Sequence, residues 1–154
     1  MLGTGDPALE AEFAAMERER PGQASVRLRF DAEYAHRIYA GADLVLIPSR
    51  YEPCGLTQMI AMRYGAVPVA RRTGGLADTV VDAGDPGGNG LMFDEYLPAA
   101  LWDALERALA VYSDPARWVE LQRRGMESDF SWRRSARAYE ELYRRAKAAH
   151  RMAS

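Results

Sequence analysis

Glu52-Pro53-Cys54-Gly55-Leu56-Thr57 places a carboxylate, the chain's only cysteine and a glycine shortly after an apolar run, Leu44 to Pro48. Residues of these types at this spacing suit a phosphate cradle. Gly55 lets backbone approach a ligand closely, Leu56 and Thr57 offer N–H donors where a helix begins, and the Thr57 hydroxyl adds another hydrogen bond. A carboxylate beside a diphosphate is repulsive unless it serves a different part of the same molecule. Sugar hydroxyls donate readily to an anionic acceptor, and a nucleotide sugar carries both groups. The structural alternative is that Glu52 caps the helix and Gly55 makes an ordinary turn. The spacing is compatible with either.

The elements that would position this cluster are short apolar runs alternating with amphipathic stretches. Val26 to Phe30, Leu44 to Pro48, Val67 to Ala70 and Gly90 to Phe93 read as strands. Pro7 to about Arg20, Asp31 to Ala42 and Thr57 to Tyr64, stopped by Gly65, read as helices. Met1 to Asp6 looks like the end of a strand entering a glycine turn, so the chain is expected to begin inside an element. Almost wholly apolar strands separated by helices predict an α/β protein with a parallel, Rossmann-like sheet. From Pro98 onward no strand is expected: one helix follows from Ala99 to Tyr112, Pro115 opens another, and Ser131 caps a last one to about His150. The chain thus divides into a strand and helix region over about 1–95 and a helical region over about 96–150.

In such sheets ligands sit outside the carboxyl ends of the strands. Arg71 to Gly75 ends the third strand and opens towards the same crevice, which makes Arg72, Thr73 and Gly74 further candidates for ligand contact. Their other reading is a turn with two surface arginines.

Composition narrows the function classes. The 154 residues are 48% hydrophobic, enough for a real core, and contain no repeat or biased tract. One cysteine and two distant histidines, His36 and His150, predict no metal site and no internal disulfide, and suit a reducing cytoplasm. His36 reads as a structural histidine on its helix. The first residues resemble no signal peptide, and the longest apolar run is too short to cross a bilayer, so no membrane association is expected. Net charge is −2, yet residues 117–154 hold ten Arg/Lys against five Asp/Glu, leaving ten against seventeen before them. Because Arg133, Arg137 and Arg144 alternate with Trp132, Tyr139 and Tyr143 at helical spacing, this excess reads as the solvated side of a helix packed by its other face. Nucleic acid is not an expected partner.

The wording S-R-Y-E-P-C-G-L-T-Q, followed by R-Y-G-A-V-P-V and R-R-T-G-G-L-A-D-T-V, closely resembles the bacterial glycogen synthases and plant starch synthases. L-G-T-G-D-P, H-R-I-Y-A-G-A-D and D-F-S-W extend the resemblance over essentially the whole chain. It implies the C-terminal domain of a GT-B glycosyltransferase lacking its first strand, with the N-terminal domain absent. The implied activity is transfer of glucose from ADP-glucose to the non-reducing end of an α-1,4-glucan, with retention and without cofactor or essential metal. Carried over by position, Glu52 is the catalytic-site acidic residue that sits at the transferred glucose and orients it, and Gly55, Leu56 and Thr57 hold the distal phosphate. Cys54 lies beside the site in a packing role, and Phe30 faces the adenine where the family commonly has tyrosine. Ile60 departs from the tyrosine usual in glycogen synthases. The isolated chain is expected to be inactive and poorly stable, or completed by a missing N-terminal half. The alternatives are a non-catalytic ADP or ADP-glucose binding module and a GT-B transferase using another nucleotide sugar.

Overall fold

The computed structural model describes residues 1–152 and forms two compact units, Met1–Ala42 and the chain from Asp43 onward. In the first unit, Pro7 opens helix α1 (Pro7–Glu19), and the Asp6 carboxylate accepts from the N–H groups of Ala8 at 2.8 Å and Leu9 at 3.2 Å. Helix α2 (Ala32–Gly41) begins the same way, with Asp31 accepting from the Tyr34 N–H at 2.9 Å. On α2, His36 meets the Tyr39 ring edge-on.

Val26 to Phe30 does not form the expected strand. One parallel bridge joins Leu2 to Arg27, through Gly3 N–H to the Arg27 carbonyl and Arg27 N–H to the Met1 carbonyl, both at 3.0 Å. The run has β-forming residues, but a strand exists only where a second backbone lies alongside, and Met1 to Gly3 supply a partner for one residue pair. Phe30 accordingly stands 90% exposed rather than in a core.

The second unit contains the sheet. Strands β1 (Leu44–Ile47), β2 (Val67–Arg71) and β3 (Leu91–Phe93) pair in parallel in the order β1-β2-β3, with Leu44 opposite Val67 and Val69 opposite Leu91. The pleat sends alternate side chains to two cores. Val67, Val69, Leu91 and Phe93 pack with helices α5 (Pro98–Tyr112) and α6 (Pro115–Glu127). Ile47, Ala70 and Met92 pack with Met62 of helix α3 (Thr57–Arg63) and Leu76 of helix α4 (Gly74–Thr79). Pro68 sits inside the central strand, where a missing N–H would ordinarily break a ladder. Val67 donates towards β1, so the Pro68 nitrogen faces β3, and pairing with β3 begins only at Val69.

Two features depart from expectation. Arg71 to Gly75 does not end in a plain turn, because Gly74 begins α4. The last helix, α7 (Trp132–Met152), is not packed by one face among the described residues: Trp132 is 86% exposed and Tyr143 67%. The outer edge of β1 is likewise unpaired among them, and Leu46 on that strand is 47% exposed.

Asp82 ties the end of α4 to β3 and α5. It accepts from the Met92 N–H at 2.7 Å, the Gly84 N–H at 3.0 Å and, with both oxygens, the Arg107 guanidinium. Burial alone would raise its pKa, but the two N–H groups and Arg107 outweigh it and hold the carboxyl below its ordinary 3.8. Asp82→Asn is expected to cost about 1–2 kcal/mol at neutral pH. A depressed folded-state pKa gives stability that is fully present above the unfolded value and lost as pH falls through the folded one. The gap between parent and variant in urea melts should therefore close progressively below about pH 4.

Candidate functional site

The carboxyl ends of β1 and β2 bring Glu52 to Thr57 and Arg71 to Gly75 together. The contact between them is backbone on backbone. Gly75 donates its N–H to the Glu52 carbonyl at 2.9 Å, and a Cβ on Gly74 would lie 1.9 Å from that oxygen. A Cβ on Gly75 would lie 2.0 Å from the Cys54 carbonyl. The paired glycines thus let α4 seat the loop directly, which no side-chain-bearing residue permits at that distance.

Arg71 ties the loops together from the other side. Its Nη1 donates to the Arg50 carbonyl at 2.6 Å and its Nε to the Asp94 carbonyl at 3.1 Å, with the guanidinium over the Tyr96 ring. Arg72 pairs with Asp94 at 2.9 Å and is exposed, while Thr73 stands at the N-cap of α4 with no side-chain cap bond.

Glu52 does not cap α3. The N-cap position is Leu56, without any side-chain cap hydrogen bond, and the Glu52 carboxylate is half-buried. It accepts only a long 3.4 Å bond from the Ser49 hydroxyl among the described residues. Gly55 has φ +71°, a left-handed conformation suited to glycine, and its missing Cβ leaves room for Gln58. The N–H groups of Gly55, Leu56 and Thr57 find no protein acceptor among the described residues. The loop therefore offers free N–H donors beside a carboxylate that its neighbours leave largely unoccupied. Cys54 is exposed, as is Leu56, and Thr57 is half-buried. A groove of ≈ 570 Å³ runs past Cys54, Leu56 and Gly75 to Phe130 and Trp132. Another of ≈ 660 Å³ lies beside Met59, Ile60 and Arg63, and Glu52 lines neither. Phe30 belongs to the Met1–Ala42 unit.

Sequence reading missed Gln58, which is fully buried and donates through Nε2 to the carbonyls of Gly55 at 2.9 Å and Cys54 at 3.3 Å, and to the Thr79 hydroxyl at 2.9 Å. The signal was available: a glutamine in the first helical turn, three residues after a glycine, is placed to reach back to the entering backbone. No group of three or more metal-ligating side chains occurs among the described residues, and none of their helices is long and apolar enough to cross a membrane.

Comparison with known proteins identifies the family of the chain. Residues 3–124 match the family described as glycosyl transferases group 1. The chain is 57% identical over 149 residues to the glycogen synthase of Geotalea daltonii, covering 94% of this chain and 30% of that protein. It is 54% identical over 152 residues to that of Syntrophotalea carbinolica, covering 97% and 31%. Among solved structures, the catalytic domain of starch synthase IV from Arabidopsis thaliana bound to ADP and acarbose superposes with TM-score 0.81 at 45% identity, covering 93% of this chain and 31% of that one. Sucrose-phosphate synthase from Thermosynechococcus elongatus matches with TM-score 0.67 at 31% identity, covering 96% and 38%. The chain spans about a third of the length of the curated relatives it matches. With its parallel sheet and flanking helices it has part of a GT-B fold, and it belongs to the glycosyl transferases group 1 family.

Proposed function

We propose that this chain is the C-terminal, nucleotide-sugar-binding part of a glycogen synthase, working in the cytoplasm on ADP-glucose and an α-1,4-glucan. Glu52 orients the transferred glucose through its hydroxyls, and the N–H groups of Gly55 to Thr57 hold the diphosphate. Cys54 forms part of the wall, and Arg72, Thr73 and Gly74 border the same crevice. The reading is carried by one observation above all: uncapped N–H donors and a lightly partnered carboxylate stand within six residues at the carboxyl end of β1. A ligand bearing both a diphosphate and hydroxyls satisfies both halves of that arrangement. The relatives' names, and ADP in the starch synthase neighbour, point to the same ligand class. Transfer to glucan then takes place in a cleft whose other wall is an N-terminal half.

Calorimetry tests this directly. ADP and ADP-glucose are expected to bind saturably to the folded chain, with UDP-glucose failing to compete. A folded sample giving no heat with either adenine ligand would overturn the reading. Because the chain spans about a third of its relatives' length, a second reading is a module that binds ADP-glucose without transferring glucose. Glucose incorporation into glycogen by the pure 154-residue protein would eliminate it.

A further inference from the structure

We propose that Gln58 and Thr79 are positioning residues for the Glu52 to Thr57 loop, holding it in the form that turns its N–H groups outward to the diphosphate. The inference rests on reading that loop as the nucleotide-sugar site. A trans peptide points its C=O and the following N–H in opposite directions. By drawing the carbonyls of Cys54 and Gly55 towards its buried amide, Gln58 turns the N–H groups of Gly55 and Leu56 away from it.

The direction of the Gln58 amide is set by Thr79. The Thr79 hydroxyl donates to the Gly75 carbonyl at 2.7 Å, so it must accept from Gln58, and Nε2 rather than Oε1 faces the loop carbonyls. Gly75 in turn donates to the Glu52 carbonyl, closing a hydrogen-bond circuit from one end of the loop to the other. The circuit leaves Gln58 Oε1 buried without a partner among the described residues, 2.6 Å from where a Cβ on Gly55 would be. An apolar side chain would avoid that orphan acceptor but would donate nothing to the loop, so the residue is not explained by packing.

Thr79 is the better residue to change, because Gln58 is fully buried and its variants risk the fold. Thr79→Val keeps the shape and removes the hydroxyl, and Thr79→Ser restores it. In amide-exchange NMR of the full chain, Thr79→Val is expected to speed exchange of the Gly75 N–H and weaken ADP binding, each about tenfold, the scale of one lost hydrogen bond. Amides of β2 should keep their rates, and Thr79→Ser should behave as the parent in both assays. Unchanged Gly75 protection in Thr79→Val would overturn the proposal, as would a loosened loop that binds ADP as tightly as before. If Thr79→Val also frees the β2 amides, the comparison moves to Thr79→Ala, judged by the same two readouts. Failure of the parent chain to bind ADP is a different result: it removes the functional reading, while the exchange rates still decide whether Thr79 and Gln58 hold the loop.

Discussion

Gly75→Ala is expected to destabilise the sheet-containing unit by about 2–4 kcal/mol, lowering its Tm by about 10 °C. The cause is local and rigid. Gly75 is buried, and its new Cβ would lie 2.0 Å from the Cys54 carbonyl oxygen and 2.6 Å from the carbon atoms behind it. These are backbone atoms, so no rotamer change can move them aside, and α4 must separate from the loop. That separation strains the 2.9 Å bond from Gly75 N–H to the Glu52 carbonyl and displaces the segment proposed to hold the diphosphate. Urea unfolding followed through Trp118, a buried α6 residue packed against α5 and the sheet, reads the effect in the correct unit. Equal unfolding midpoints for Gly75→Ala and the parent would mean that loop and helix do not touch as described.

The same glycine pair marks where sequence reading reached its limit. Strands β1 to β3 were legible within a residue or so because their apolar runs are bounded by Gly, Pro and charged residues, a pattern contained in each segment. Val26 to Phe30 shows the same composition yet makes one bridge, because pairing depends on a second backbone that no local pattern reveals. Helix α4 was hidden for a different reason: two glycines disfavour a helix by propensity, but here they are needed for the approach to Glu52 and Cys54. The Glu52 to Thr57 cluster could be located from chemistry and from the rule that ligands meet parallel strands at their carboxyl ends. Its support by Thr79 and Arg71 could not, since those side chains act between segments far apart in sequence, whereas the local spacing from Gly55 to Gln58 did carry a signal.

Glu52→Ala is expected to weaken ADP-glucose binding by about tenfold to a hundredfold while leaving ADP affinity unchanged. The separation follows from how the residue is held. Its carbonyl, not its carboxylate, is the atom that anchors the loop through Gly75, and among the described residues the carboxylate's partner is the distant Ser49 hydroxyl. Truncation therefore removes an acceptor for sugar hydroxyls without untying the backbone that presents N–H groups to phosphate. Glu52→Gln, which can still accept hydrogen bonds but carries no charge, should fall between the two. In the enzyme completed by an N-terminal half, the alanine variant should lose at least about a hundredfold in glucose transfer, because an oriented charge near the reacting sugar contributes most where charge develops. Parallel calorimetry with ADP and ADP-glucose separates the possibilities. Equal losses for both ligands would assign Glu52 to loop structure, and no loss for ADP-glucose would remove it from the sugar site.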